Sequence, residues 1–326
     1  MHILIVNHSF LPAVKYGGTE RVIWWLGKAL VAQGHKVSYL VSKGSHCTFA
    51  NVLLYNESVP FNTLVPADVD VVHLNHCVNE VPTKPYIFTV HGNANHQQEL
   101  DINSVFVSAD HAARYGSTVY VHNSIDPDDY GKPDFEHKAN YIHFLGDAAW
   151  RVKNVVGAIK VASMANIPLK VLGGVRFNFN QGLRFTFNRN VRFKGMVGGH
   201  KKNELLKRSS AMLFPVRWSE PFGLAIIESL YFGCPVFGTP YGSLPELVPA
   251  QVGFLSNKSS ELAAALQNRA SYSSVYCHQY VMDNFTSRHM MAAYMQLYEK
   301  VLSGKTLNQK SPALLEVQAQ KFLYFD

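Results

Sequence analysis

The sequence predicts an α/β protein built from two doubly wound parallel sheets in tandem. Three observations lead there. Short apolar runs alternate with helix-like amphipathic stretches along the whole chain, the pattern of strands buried on both faces by helices. The alternation pauses in an Asp-, Pro- and Gly-rich stretch from Asp126 to His137, then begins again near residue 140. The length of 326 residues suits two domains of roughly 150 residues each.

In chain order, Ile3–Val6 reads as a buried strand and Thr19–Gln33 as a helix stopped by Gly34. Val37–Val41, Val69–Leu74, Tyr86–Val90, Ser104–Val107 and Thr118–Val121 read as further strands. The second series has strands at Tyr141–Leu145, Leu169–Leu172, Val191–Phe193, Ala211–Phe214, Pro235–Gly238 and Val252–Leu255. Helices are expected at Asn154–Ala165, Lys201–Ser209, Leu224–Phe232 and Ser259–Gln267, with a last amphipathic one near Arg288–Leu302. The expected division is 1–137, with a returning helix over about 288–326 packed on it, and 138–287. Ligands of open α/β sheets bind at the carboxyl ends of the strands, so a cleft between two such halves is the expected site.

Composition excludes several classes. The chain is 47% hydrophobic and 16% charged, as in ordinary globular proteins. A formal charge of +7 favours anionic partners, yet the cations are scattered and no basic arm interleaves with aromatics, which argues against nucleic acid. Cys47, Cys77, Cys234 and Cys277 form no C-x-x-C pair and read as reduced, mostly buried thiols of a cytoplasmic protein. The apolar run at Met1–Val6 is too short for a secretory leader, and no stretch of about 20 apolar residues spans a membrane. The basic balance with Tyr16, Trp24 and Trp25 would suit peripheral contact with an acidic inner membrane face; the tryptophans would equally suit a core.

The segment Glu220-Pro221-Phe222-Gly223-Leu224-Ala225-Ile226-Ile227-Glu228 carries the chemistry. A buried strand runs through a turn into a helix start. That geometry aims backbone N–H groups and a positive dipole end at an anion, and Gly223 permits close approach. Glu228 falls in an otherwise apolar helix, where a carboxylate needs donors. A ribose diol or a buried Lys or Arg would each supply them.

The stretch from Phe214 to Glu246 resembles retaining glycosyltransferases of the GT-B fold, family 4 (glycosyl transferases group 1). The resemblance rests on two glutamates eight residues apart with Phe-Gly-Leu between them, followed by Gly233-Cys234-Pro235-Val236 and Gly242-Ser243-Leu244-Pro245-Glu246. It implies two Rossmann-like domains facing across a cleft and transfer of a sugar from a UDP- or GDP-type donor to a saccharide or lipid-linked acceptor. Surface polysaccharide or glycoconjugate synthesis is the implied setting. Glu220 then contacts the transferred sugar. The amides of Phe222, Gly223 and Leu224 meet the sugar or distal phosphate, and Glu228 holds the ribose hydroxyls.

Other positions join this reading. Gly17 and Gly18 open a helix after the first strand and would cover the diphosphate. His91, at a strand's carboxyl end before Gly92, would face the reacting sugar or leaving phosphate. Lys153 matches a basic residue that neutralises the departing phosphate. Asp147 stands where the family carries a basic residue, and Arg151 is the candidate replacement. Gly173, Met196 and Val197 fall where the family receives the nucleobase.

No cofactor or metal is expected. Asp68-Val69-Asp70 precedes its strand instead of ending it, and His73, His76, His91 and His96 read as turn and core histidines. Rival readings are a sugar-nucleotide epimerase or a phosphorylase on the same fold, and a catalytically impaired nucleotide-sugar-binding protein, suggested by Asp147. A nicotinamide dehydrogenase is disfavoured because no G-x-G-x-x-G follows the first strand.

Overall fold

A computed structural model describes residues 1–13, 17–94, 96–179 and 183–326; Tyr16 therefore lies outside the described residues. The chain divides into two compact units, Met1–Ile125 with Thr286–Gln318, and Asp126–Phe285 with Ala319–Asp326. The Asp126–His137 stretch thus belongs to the second unit.

The first unit is a six-stranded sheet of β1 (His2–Val6), β2 (Lys36–Val41), β3 (Asn51–Leu54), β4 (Val71–Leu74), β5 (Tyr86–Val90) and β6 (Ser104–Phe106), in the order β3-β2-β1-β4-β5-β6. Every pairing is parallel. All five residues of β1 are buried, as a strand covered on both faces requires. Asp70 accepts the His2 amide at 2.7 Å and Asp68 accepts from Lys36 at 2.5 Å, so the Asp-Val-Asp stretch ties the strand starts together. Thr118–Val121 forms no strand; Tyr120 only bridges to Phe106. The short helix α2 (Ala109–Arg114) follows β6, capped by Ser108.

Helix α1 (Gly18–Ala32) buries Val22, Ile23, Trp25, Leu26 and Leu30. Gly27 on that face is required by contact: a Cβ there would lie 1.9 Å from the Tyr39 hydroxyl, which donates to helix carbonyls at Ile23 and Trp24. Trp25 is core, and Trp24, half-buried, packs on Tyr39 and Phe49.

The second unit has the same order. Its strands β7 (Ile142–Leu145), β8 (Leu169–Leu172), β11 (Val191–Phe193), β12 (Met212–Phe214), β13 (Val236–Gly238) and β14 (Gly253–Leu255) run β11-β8-β7-β12-β13-β14. All are parallel. A two-stranded antiparallel ribbon, β9 (Phe177–Asn178) and β10 (Arg184–Phe185), leaves the sheet between β8 and β11. The helices are α3 (Val155–Met164), α4 (Gly199–Lys207), α5 (Leu224–Tyr231), α6 (Leu244–Leu247), α7 (Ser259–Gln267) and α8 (Ser274–Asn284). In each sheet the strand order reverses beside the first strand, between β1 and β4 and between β7 and β12. The crevice at such a reversal is where open α/β sheets take ligands.

Helix α9 (Ser287–Leu302) returns to the first unit and packs on α1 and β5. A buried chain of hydrogen bonds holds it. Tyr298 Oη lies 2.8 Å from His73 Nδ1, His73 Nε2 is 2.8 Å from Thr89 Oγ1, and Thr89 is 3.0 Å from Tyr294 Oη. The helix stops at Leu302, before Gly304 at φ +78°, not near 326. Ala319–Asp326 lies with the second unit instead, where Leu323 pairs with Arg217 and the Asp326 carboxylate accepts the Ser259 amide at 2.5 Å. Of the four free cysteines, Cys234 and Cys277 are buried, Cys47 is half-buried and Cys77 exposed.

Three interior histidines make stability pH-dependent. Burial pushes His73, His111 and His143 from 6.5 down to about 3. They stay neutral in the fold, while the unfolded chain takes up a proton below about 6.5. Their contribution is complete above pH 7 and falls as pH drops from 6.5 towards 3. At pH 5 each should cost on the order of 2 kcal/mol. Thermal melts at pH 7.5 and 5.0 should show a large drop in Tm; equal melting temperatures would contradict this.

Candidate functional site

The carboxyl ends of β7, β8 and β12 converge on a small set of glycines and buried charges. After β7, Gly146 and Asp147 turn the chain: Asp147 Oδ1 accepts the Ala149 amide at 2.9 Å, the local bond that favours Asp in turns. Asp147 is thus in place as a turn former. Gly173, at the end of β8, passes so close that a Cβ there would lie 2.0 Å from the Gly146 carbonyl oxygen, and its φ of +135° suits glycine.

Beyond β12, the loop through Arg217-Trp218-Ser219-Glu220 leads into α5. Glu220 is 6% exposed. Its Oε2 accepts from Lys153 Nζ at 2.5 Å and from Trp218 Nε1 at 2.9 Å. Lys153 ends a 3-10 turn, Arg151–Lys153, just ahead of α3, and its ammonium lies 4.9 Å and 5.2 Å from the ring centres of Trp218 and Phe214. Aromatic faces attract a desolvated cation, so this lysine is held by an anion and three rings, with Trp150 at 5.8 Å the third.

The loop is stitched to the next one. The Ser243 amide donates to the Glu220 carbonyl at 3.0 Å, and the Ser243 hydroxyl to the Phe222 carbonyl at 2.6 Å. Gly242 makes this possible: a Cβ would meet Glu220 N at 2.2 Å and Glu220 O at 2.4 Å, at φ +62°. Gly223 caps α5 in the left-handed conformation at φ +88°, and Leu224 begins the helix. Phe222 is core, packed on Phe285; its backbone, not its ring, is available to the site.

Glu228, on α5, is 2% exposed. Its Oε1 accepts from the Lys202 ammonium and, at 2.6 Å, from the Tyr130 hydroxyl. A lysine is therefore its partner in this structure. Lys202 lies on α4, and its ammonium also sits 5.1 Å from the Tyr130 ring centre. Two buried Lys–Glu pairs thus flank the start of α5. Removing one member of such a pair strands a charge and typically costs about 3–5 kcal/mol.

The other expected residues are distributed as follows. Met196 is exposed and Val197 half-buried, in the loop between β11 and α4. Arg151 is exposed, and its guanidinium lies 4.9 Å from the Phe322 ring centre. It lines a cavity with Asn178, Arg184 and Arg217. On the first unit, Gly17 and Gly18 open α1, but the Glu20 carboxylate reaches back to within 2.6 Å of where a Gly17 Cβ would stand. Negative charge already sits at that helix start. His91 directly follows β5, with Nε2 2.8 Å from Asn75 Oδ1. Its surroundings push it down to about 4 by desolvation, and its buried Nδ1 has no partner among the described residues. It is a neutral imidazole at physiological pH.

Lys202, Tyr130, Trp218, Asn75 and Gly242 were not singled out as functional from sequence. Lys201-Lys202 reads as a surface cluster, although Lys202 is 6% exposed; Tyr130 sits in the apparent linker. A buried glutamate in an apolar helix was the signal that donors were needed there, with a lysine or arginine one of the two sources open in the sequence.

Residues 127–271 match the family model described as Glycosyl transferases group 1. No curated protein matches the chain. Solved structures share the GT-B fold. AviGT4, a glycosyltransferase involved in avilamycin A biosynthesis, is 20% identical with a TM-score of 0.75, over 94% of this chain and 99% of that one. Sucrose-phosphate synthase from Thermosynechococcus elongatus is 17% identical with a TM-score of 0.71, over 93% and 100%. HepE from Anabaena, solved in complex with UDP and glucose, is 15% identical with a TM-score of 0.61, over 91% and 99%.

Replacing Gly242 should disturb Glu220 through its backbone. Gly242→Ala should cost about 2–3 kcal/mol, lowering Tm by roughly 5–10 °C. Gly131→Ala has a similar φ of +73° with nothing within 4 Å and should cost only about 1 kcal/mol. Equal melting shifts in the two variants would refute the contact.

Proposed function

We propose that this chain, a glycosyltransferase of group 1 by the match over residues 127–271, is a retaining enzyme that moves a sugar from a UDP- or GDP-type donor to a saccharide or lipid-linked acceptor. One observation carries the reading. Two buried glutamates, one in the loop before α5 and one about a turn into it, each sit against a lysine at the side of the second sheet where its order reverses.

In this reading the bond between the anomeric carbon and the phosphate oxygen breaks, and the diphosphate leaves with the electron pair. The acceptor oxygen attacks from the same face and its proton passes to the departing phosphate. The leaving group gathers negative charge, which Lys153 and the amides at Gly223 and Leu224 stabilise. Glu220 orients the transferred sugar, and its hold on Lys153 keeps that ammonium in place before the donor arrives. Glu228 takes the ribose hydroxyls, with Lys202 and Tyr130 fixing its rotamer. Gly173, Met196 and Val197 supply the rim for the base. Gly17, Gly18, His91 and Arg151 enter the proposal on family resemblance; for His91, a neutral imidazole with a buried unpartnered Nδ1 adds support as a hydrogen-bonding group. Lysine and amide groups neutralise the diphosphate without a metal.

Glu220→Ala should abolish transfer while UDP or GDP still binds. Glu228→Gln, which keeps the side-chain shape, should weaken nucleotide binding by about 10- to 100-fold, the worth of a hydrogen bond to a charged group. Calorimetry and a donor-turnover assay across nucleotide sugars separate the two effects. Unchanged transfer by Glu220→Ala would sink the assignment. The product from an α-linked donor should be α-linked by proton NMR and should form in EDTA; an inverted anomer would refute the retaining reading, and full loss in EDTA the metal-free one.

A further inference from the structure

The ribbon β9–β10 reverses the usual placing of apolar and polar side chains. Successive strand residues point to opposite faces. On the inner face, Asn178 and Thr186 are buried and Arg176 and Arg184 half-buried. Arg176 donates to the carbonyls of Thr186 and Asn188, and Arg184 to those of Ala148 and Val175. The outer face carries Phe177, Phe179, Leu183, Phe185 and Phe187, between 46% and 79% exposed. Phe177 lies 6.0 Å from both Phe185 and Phe187, and Phe179 lies 5.8 Å from Phe185, ring centre to ring centre. The arginines pin the ribbon from below, so this aromatic face is presented outwards. A contiguous apolar patch left to solvent marks an interaction surface.

Its charge surroundings say what kind. No Asp or Glu occurs between Asp147 and Glu204, a stretch holding eleven Lys and Arg residues, of which Lys153 and Lys202 are paired with Glu220 and Glu228. Arg189 and Arg192 are exposed beside the ribbon, and Arg192 and Lys194 line one cavity with Val175 and Arg176. The cations are crowded: Lys170 is pushed down first by burial and then by Lys194, Arg192 and Arg208. Two copies meeting through this face would bring like charges together.

We propose that this phenylalanine ribbon docks the protein on an anionic bilayer, its rings in the headgroup–acyl boundary and Arg189, Arg192 and Lys194 on lipid phosphates. Apolar burial and attraction to anionic lipid are the two terms that hold interfacial elements; here the rings stand on the ribbon and the cations follow it in the segment through β11. Docking is independent of the transfer chemistry, because vesicle binding reads it without donor or acceptor.

The test is co-sedimentation of the full chain with vesicles of phosphatidylcholine alone or mixed with phosphatidylglycerol. Partitioning into the mixed vesicles should be roughly tenfold higher or more. The double variant Phe179→Ala/Phe187→Ala should lose about tenfold or more of it with unchanged Tm, since both rings are exposed. Arg189→Gln/Arg192→Gln should lose binding to mixed vesicles only. Phe179→Trp should shift its emission to the blue on adding mixed vesicles. Absence of vesicle binding, equal binding by the double phenylalanine variant, or a dimer in light scattering that this variant abolishes in place of vesicle binding would each overturn the proposal.

Discussion

The burial of two carboxylates beside α5 is the constraint on which the carboxyl end of the second unit's sheet depends. Glu220 and Glu228 have been taken out of water, which is tolerable only with compensating donors. Each has therefore drawn a lysine and an aromatic donor into place: Lys153 with Trp218, and Lys202 with Tyr130. Those four partners come from a 3-10 turn, a loop, a helix and the segment just past the unit boundary. Satisfying two charges thus ties together parts of the chain far apart in sequence. In the proposed transfer the same arrangement serves the chemistry, because groups already desolvated and oriented need little reorganisation when a substrate's charge develops.

Glycines do the complementary work. The Gly242 and Gly173 positions let backbone approach backbone, at the Glu220 loop and at the β7 turn. Elsewhere the first unit solves a different problem by similar means. The returning helix α9 brings two tyrosines into a buried histidine–threonine chain, and every polar atom in that chain finds a partner. A half-satisfied network there would be worse than an apolar core.

Most of the fold was legible because buried parallel strands are short apolar runs. Tyr86–Val90, Leu169–Leu172 and Val191–Phe193 match to the residue. The failures share physical causes. Strand β3 is an edge with three of four residues exposed, so it lacks the apolar signal. Helix α8 buries only Cys277 and Val281, too narrow a stripe to read. The ribbon's apolar residues face outwards, where pattern rules expect polar ones. The linker reading of Asp126–His137 came from turn-forming composition, while Tyr130 inside it is core and bonds Glu228. The two glutamates were visible as a spacing, but their lysines were not: Lys202 looks like any surface cation until the fold shows what it neutralises.

The central claim is that the two glutamates divide sugar and ribose between them, and a crystal structure with a nucleotide diphosphate bound tests it most directly. The account predicts the ribose diol within hydrogen-bond distance of Glu228 and the distal phosphate at Lys153 and the Gly223–Leu224 amides. A nucleotide seated elsewhere, with Glu228 still served only by Lys202 and Tyr130, would contradict it.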